Sequence, residues 1–180
     1  MLPIGPLMKE HRKIERMVAL IADEAERLAE EEAEPDPEFI FDALTFMREY
    51  ADECHHGKEE HILFAELEER DLSEKHQQIM TRLVNDHVRG RELTADLETA
   101  AERWEDGEEA ACDDIIEAMQ GIADLYPDHI ATEDRNFFIP VMEYFSDDEK
   151  EEMMEKMWDF DHELFTALYT ECITAYEPEE

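Results

Sequence analysis

The stretch Cys54-His55-His56-Gly57-Lys58-Glu59-Glu60-His61-Ile62-Leu63-Phe64 places an imidazole and a carboxylate four residues apart, at His55 and Glu59. On a helix, residues at that spacing stand one above the other, so both side chains can reach one point. Met47, Ala51, Cys54 and Ile62 recur at helical spacing, which turns His55 toward a core and leaves Glu59 at the edge of the apolar stripe. Burying both groups without partners costs on the order of several kcal/mol, so a metal ion explains the pair better than a solvated helix face does. The arrangement returns in His129-Ile130-Ala131-Thr132-Glu133-Asp134, again ahead of an apolar run, Phe137-Phe138-Ile139. Two such pairs on different helices, each with a run that would seal it from water, signal more than one would.

Outward from these pairs the chain divides into five helical segments. The first is expected to start after Pro6 and run to about Glu32, with Ile14, Met17, Val18, Ile21, Ala25 and Leu28 on its apolar face. Pro35 and Pro37 break it. The second runs from about Pro37 to Glu69. The third follows an N-cap at Ser73 and runs to about Trp104, where Gly107 supplies a left-handed stop. The fourth spans about Glu108 to Tyr144, with a kink expected at Pro127 and disruption at Pro140. Ser146-Asp147-Asp148-Glu149 reads as a capping box for the fifth, which ends near Tyr176. Long helices joined by short turns run antiparallel. The expected fold is all-α: an antiparallel up-and-down four-helix bundle with an additional C-terminal helix, in a single domain over residues 1–180.

Depth along the bundle brings the histidines together. At 1.5 Å per residue, His11 lies about 36 Å and His55 about 30 Å from the first turn. His55 and His87 are each about 24 Å from the second turn, and His87 and His129 are about 28 and 34 Å from the third. The mismatches stay near one helical turn, so four histidines on four helices fall at one level. Imidazole and carboxylate donors together suit iron or manganese better than zinc, and no thiolate-rich site is present.

Composition narrows the alternatives. Of 180 residues, 52 are Asp or Glu and 16 are Lys or Arg, a net charge of −36. Such a surface repels phosphate backbones and anionic lipid, so neither nucleic acid nor membrane is an expected partner. Cys54, Cys112 and Cys172 are odd in number and far apart, which argues against a disulfide framework. No signal-peptide pattern and no apolar run of spanning length appears, so a cytoplasmic location is expected. No glycine-rich phosphate loop and no Ser/His/Asp order stands out, and no residue is singled out as catalytic.

These motifs resemble the hemerythrin-like HHE cation-binding domain family, its short prokaryotic members in particular. The resemblance rests on Glu10-His11-Arg12, on Tyr50 to Glu60, on Asp86-His87-Val88-Arg89-Gly90-Arg91, on His129 to Asp134 and on Phe137 to Phe145. It implies two non-haem iron ions with an oxo or hydroxo bridge, held by His11, His55, Glu59, His87, His129 and Glu133, the two glutamates bridging. It also implies binding of a small diatomic, dioxygen or nitric oxide, in oxygen handling or in oxidative or nitrosative stress. A di-iron oxidase or peroxidase acting on peroxide or another substrate, and an iron store or sensor, are the alternatives.

The chain departs from the oxygen carriers at one place. They have a second His four residues along the third helix, where this chain has Arg91. His56 is the first candidate for the missing imidazole and His162 the second. Glu60 and His61 are expected to face solvent, and His76 to be exposed. Cys54 is expected to be a small buried hydrophobe. Met153, Met154, Met157, Trp158, Phe160 and Phe165 are expected to cover the bundle.

Overall fold

The computed structural model describes residues 2–31 and 33–174, without the side chains of Glu31, Glu163 and residues 165–174. All of its regular structure is helical. Helix α1 is Ile4–Glu31. Helix α2 covers residues 37–68: it opens as an α-helix (Pro37–Thr45), widens into π-helical turns at Phe46–His56 and Glu59–Phe64, and closes as Ala65–Glu68. Helix α3 is Glu74–Glu105. Helix α4 covers residues 111–144, with Ala111–Thr132 α-helical, Glu133–Phe137 π-helical, then Phe138–Val141 and a 3₁₀ turn at Met142–Tyr144. Helix α5 is Asp147–Thr174.

Two apolar clusters reveal the topology. One gathers Ile14–Leu28 of α1, Ile40–Ala51 of α2, Leu93–Ala100 of α3 and Ile115–Ile130 of α4. The other gathers Ile4 and Leu7, Ile62–Leu67, Met80 and Leu83, and Phe137–Phe145, with Met153 and Met157 of α5. Helices α1 and α3 therefore run from the second cluster to the first, and α2 and α4 run back. This is the antiparallel up-and-down four-helix bundle, with α5 packed against the second cluster. Between the clusters, on every one of the four helices, lies a buried histidine.

The helix ends follow their local chemistry. Asp36 accepts from the amides of Glu38 (3.0 Å) and Phe39 (3.3 Å), ahead of Pro37 in the first turn of α2. Ser73 caps α3 by accepting from the His76 amide. The capping box is present: the Glu149 amide donates to Ser146 Oγ, and the Ser146 amide donates back to Glu149 at 2.7 Å. Gly107 has φ 91, the left-handed value that stops α3. Cys54 is buried, and it and Cys112 are free thiols. No helix of the described residues is long and apolar enough to cross a membrane.

Several boundaries differ from expectation. Helix α1 starts at Ile4, before Pro6, because a first-turn proline lacks only an amide that no intrahelical acceptor would have reached. Helix α4 starts at Ala111 instead of Glu108, since Glu108 is tied back to Arg103 (2.9 Å) after the Gly107 reversal. It then runs without interruption through Pro127. Trp158 is 69% exposed and Ile139 57%, so neither is cover, whereas Met153 and Met157 are buried. Met154 and Phe160 are half-buried. His76 is half-buried too, bonded to the Tyr144 hydroxyl at 2.9 Å. The expected end of the fifth helix near Tyr176 and the side chains of Phe165 and Cys172 lie outside what is described.

Phe138 is fully buried at the edge of the second cluster, where its ring stacks on His11. Phe138→Ala is expected to destabilise the metal-free protein by about 3–5 kcal/mol in chemical denaturation. Loss of the Asp36 cap in Asp36→Ala should cost about 1 kcal/mol. Equal effects of the two would contradict this description of the core.

Candidate metal centre

Five imidazoles and two carboxylates meet at the level between the apolar clusters: His11 of α1, His55, His56 and Glu59 of α2, His87 of α3, and His129 and Glu133 of α4. All seven are buried. Their donor atoms fall into two groups, each with its atoms within 4.8 Å of one another: His56, Glu59, His87 and His129, and His11, His55, Glu59 and Glu133. Glu59 belongs to both groups, with one oxygen 3.2 Å from His55 Nε2 and the other 3.3 Å from His87 Nε2. Glu133 Oε2 lies 3.1 Å from His11 Nε2 and 3.3 Å from His129 Nε2, and Oε1 lies 3.9 Å from His87 Nε2. Glu59 is thus shared by the two groups, and Glu133, a member of the second, also faces His129 and His87 of the first.

The π-helical turns of α2 and α4 carry His55, His56, Glu59 and Glu133. A wider turn holds more residues, so neighbouring side chains diverge less than on an α-helix. This is how both His55 and His56 face inward, and why Glu59, expected at the edge of the stripe, is fully buried. His162 is exposed and belongs to neither group, because that stretch of α5 lies outside the four-helix core. The second candidate for the missing imidazole is thereby removed.

Every one of these imidazoles points Nδ1 outward at a carboxylate. His11 is hydrogen-bonded to Asp134 at 2.8 Å, His55 to Glu10 at 2.9 Å, His56 to Asp52 at 3.2 Å and His87 to Glu60 at 2.7 Å, whereas His129 Nδ1 lies 3.5 Å from Asp86 without a hydrogen bond. A carboxylate at Nδ1 fixes the tautomer and leaves Nε2 free as a donor to a metal. The Nε2 atoms of all five, and both oxygens of Glu59 and Glu133, have no hydrogen-bond partner. Buried polar atoms are nearly always satisfied. Nine left bare at one point, all of them good metal donors, fit a metal centre.

Cations complete a further shell. Arg12 pairs with Asp134, Lys58 with Glu10 (2.6 Å), Arg82 with Asp86 (3.6 Å), and Arg91 with both Asp52 (2.8 Å) and Glu60 (2.7 Å). Lys58 is fully buried and also reaches Asp161 of α5 at 2.7 Å. Sequence reasoning missed this lysine and all five outer carboxylates, and it wrongly placed Glu60 among solvated residues. The signal was adjacency: Glu10, Asp86, Glu60 and Asp134 each immediately neighbour a central donor. It also missed Tyr126, which is buried three residues before His129, with its ring parallel to His56 at 6.2 Å. Aromatic rings close the other side, with Phe138 stacked on His11 (5.6 Å) and Phe64 on His87 (5.9 Å).

Without metal the centre holds protons. Burial opposes charge on His11, but Asp134 and Glu133 outweigh it and raise its pKa to about 10. Burial likewise opposes charge on His87, and Glu133, Glu59 and Glu60 carry it to about 11. His55 is raised by Glu59 and Glu10 against its burial. His56 goes the other way, to about 3, through burial and the charge of His87. Glu133, despite burial and the nearby Glu59, is held down at about 2 by His129 and His11, and Glu59 is also lowered, by His55 and His87.

The family whose model matches this chain is the hemerythrin HHE cation binding domain, over residues 2–139. No curated protein and no solved structure matches it.

Because imidazoles must be neutral to bind a metal, filling the centre expels these protons. His11 and His87 are raised well above pH 7.5 and His55 is shifted in the same direction, so titration with cobalt(II) at pH 7.5 should release at least about two protons per chain. Calorimetry in buffers of different ionisation enthalpy measures this. The sign follows from protons held above the ordinary histidine range: affinity should go on rising with pH above 7. Release of less than about one proton would contradict the charge state described.

Proposed function

The chain belongs to the hemerythrin HHE cation-binding domain family and is a metal-binding protein, and from that premise we propose that it holds two iron ions and binds a small diatomic at them. In this reading His56, His87 and His129 would hold one ion, His11 and His55 the other, and Glu59 and Glu133 would serve both. His56 supplies the imidazole that Arg91 does not. The observation that carries the proposal is the set of nine buried, unpartnered nitrogen and oxygen donors. Five imidazoles with two carboxylates are a borderline-hard set that favours iron. The same residues could hold manganese, and metal analysis distinguishes the two.

When bound, a reduced iron pair supplies reversible electron donation to a diatomic such as dioxygen or nitric oxide. The residues of the chain do the rest. The outer carboxylates orient the imidazoles, the phenylalanines exclude water, and the buried glutamates balance the charge of two cations. A cavity of about 140 Å³, lined in part by Asp52, His56, Gly90, Arg91 and Tyr126, supports a small ligand over a bulky organic substrate. We place the protein in oxygen or oxidative and nitrosative stress handling, with the whole of residues 1–180 as one hemerythrin-like unit.

Protein from iron-supplemented cells is expected to carry about two irons per chain. Glu59→Ala or Glu133→Ala should remove most of one ion, since Glu59 is a member of both groups and Glu133 of one. His56→Ala should change the visible spectrum and speed autoxidation, and His162→Ala should do neither. One iron per chain, or identical behaviour of the two histidine variants, would refute the assignment. Stopped-flow mixing of the reduced protein with dioxygen or nitric oxide tests the function. A stable, reversible spectrum is expected, whereas rapid autoxidation with consumption of added peroxide would favour an oxidase or peroxidase.

A further inference from the structure

Arg91 stands where the third helix lacks a histidine, and its guanidinium has a distinct place in the outer shell. Its Nε lies 2.8 and 3.0 Å from the two oxygens of Asp52, and one terminal nitrogen lies 2.7 Å from Glu60 Oε1. Those carboxylates are the Nδ1 partners of His56 (3.2 Å) and His87 (2.7 Å). The contacts form one chain: His56, Asp52, Arg91, Glu60, His87. The two imidazoles at its ends lie face to face, their centroids 3.9 Å apart and their planes 13° from parallel. Both belong to the same donor group. Arg12, Lys58 and Arg82 each pair with the Nδ1 carboxylate of a single imidazole. Arg91 pairs with two.

We propose that Arg91 is a positioning residue, which sets the orientation of His56 and His87 together and so builds one half of the binuclear centre. The inference rests on the ligand assignment above and extends it to a residue that touches no metal. A planar guanidinium with donors on two edges suits this task, and an ammonium does not, since it is a point charge without a fixed fork. Arg91 is 40% exposed and its partners are partly exposed, so these ion pairs add little to folding stability. Their effect falls on imidazole orientation, where loss of a group holding a ligand lowers metal affinity by about 10- to 100-fold.

The full-length metal-free protein, titrated with cobalt(II), tests this. Arg91→Gln should weaken one of two cobalt ions by about 10- to 100-fold and leave the other unchanged. Its melting temperature without metal should stay near that of the parent. Arg91→Lys should recover only part of the loss, and Arg89→Gln, which breaks a surface pair with Glu92, should behave as the parent does. Proton NMR of the cobalt-loaded protein gives a reading that a merely structural residue would not move. The parent should show five hyperfine-shifted exchangeable Nδ1 protons, and Arg91→Gln should lose or broaden two of them. Two tightly bound ions and five intact resonances in Arg91→Gln would overturn the proposal, as would equal change in all five or full recovery by lysine. Failure of the parent to bind two cobalt ions would instead refute the binuclear reading beneath it.

Discussion

Two carboxylates, Glu59 and Glu133, are buried completely at the centre of the bundle, and much of the structure exists to make that possible. Carboxylates far from water are costly unless opposing charge and directed donors compensate them. Each of the four bundle helices sends at least one imidazole to them. Without metal, raised pKa values keep protons on His11 and His87 beside them, and His55 is shifted in the same direction. In the proposed centre, cations would take the place of those protons.

The outer carboxylates link the helices in a closed circuit. Asp134 of α4 serves His11 of α1, Glu10 of α1 serves His55 of α2, Glu60 of α2 serves His87 of α3, and Asp86 of α3 serves His129 of α4. Each neighbours a central donor in sequence yet orients the imidazole of the next helix. Asp52, which serves His56 on its own helix, is the exception. Rotation of any one helix would therefore disturb two imidazoles, its own and a neighbour's. In a chain with 52 acidic and 16 basic residues, four cations are committed to these five carboxylates. The apolar clusters above and below exclude water from the central donors that the circuit surrounds.

Much of this was legible in the sequence, because helix periodicity and equal depth from each turn are one-dimensional properties. They place His11, His55, His87 and His129 at one level without any knowledge of contacts. What a straight α-helix could not convey was the π-helical widening of α2. On an α-helix His56 is turned toward the flank and Glu59 stays at the edge of the stripe, whereas here both are buried. The outer shell was illegible for another reason. Glu60 and Lys58 look like ordinary members of a charged run, and only the approach of other helices shows that one holds His87 and the other Glu10. Arg91 looked like the loss of a ligand, and its contacts make it a connector of two.

The central claim is that two metal ions lie side by side between the four helices, bridged by Glu59 and Glu133. Anomalous diffraction at the iron absorption edge, from crystals of the iron-loaded protein, tests it most directly. The account predicts two peaks per chain within about 4 Å of each other, one beside His11 and His55 and the other beside His56, His87 and His129. A single peak, or peaks among surface carboxylates with the nine central donors left bare, would contradict it.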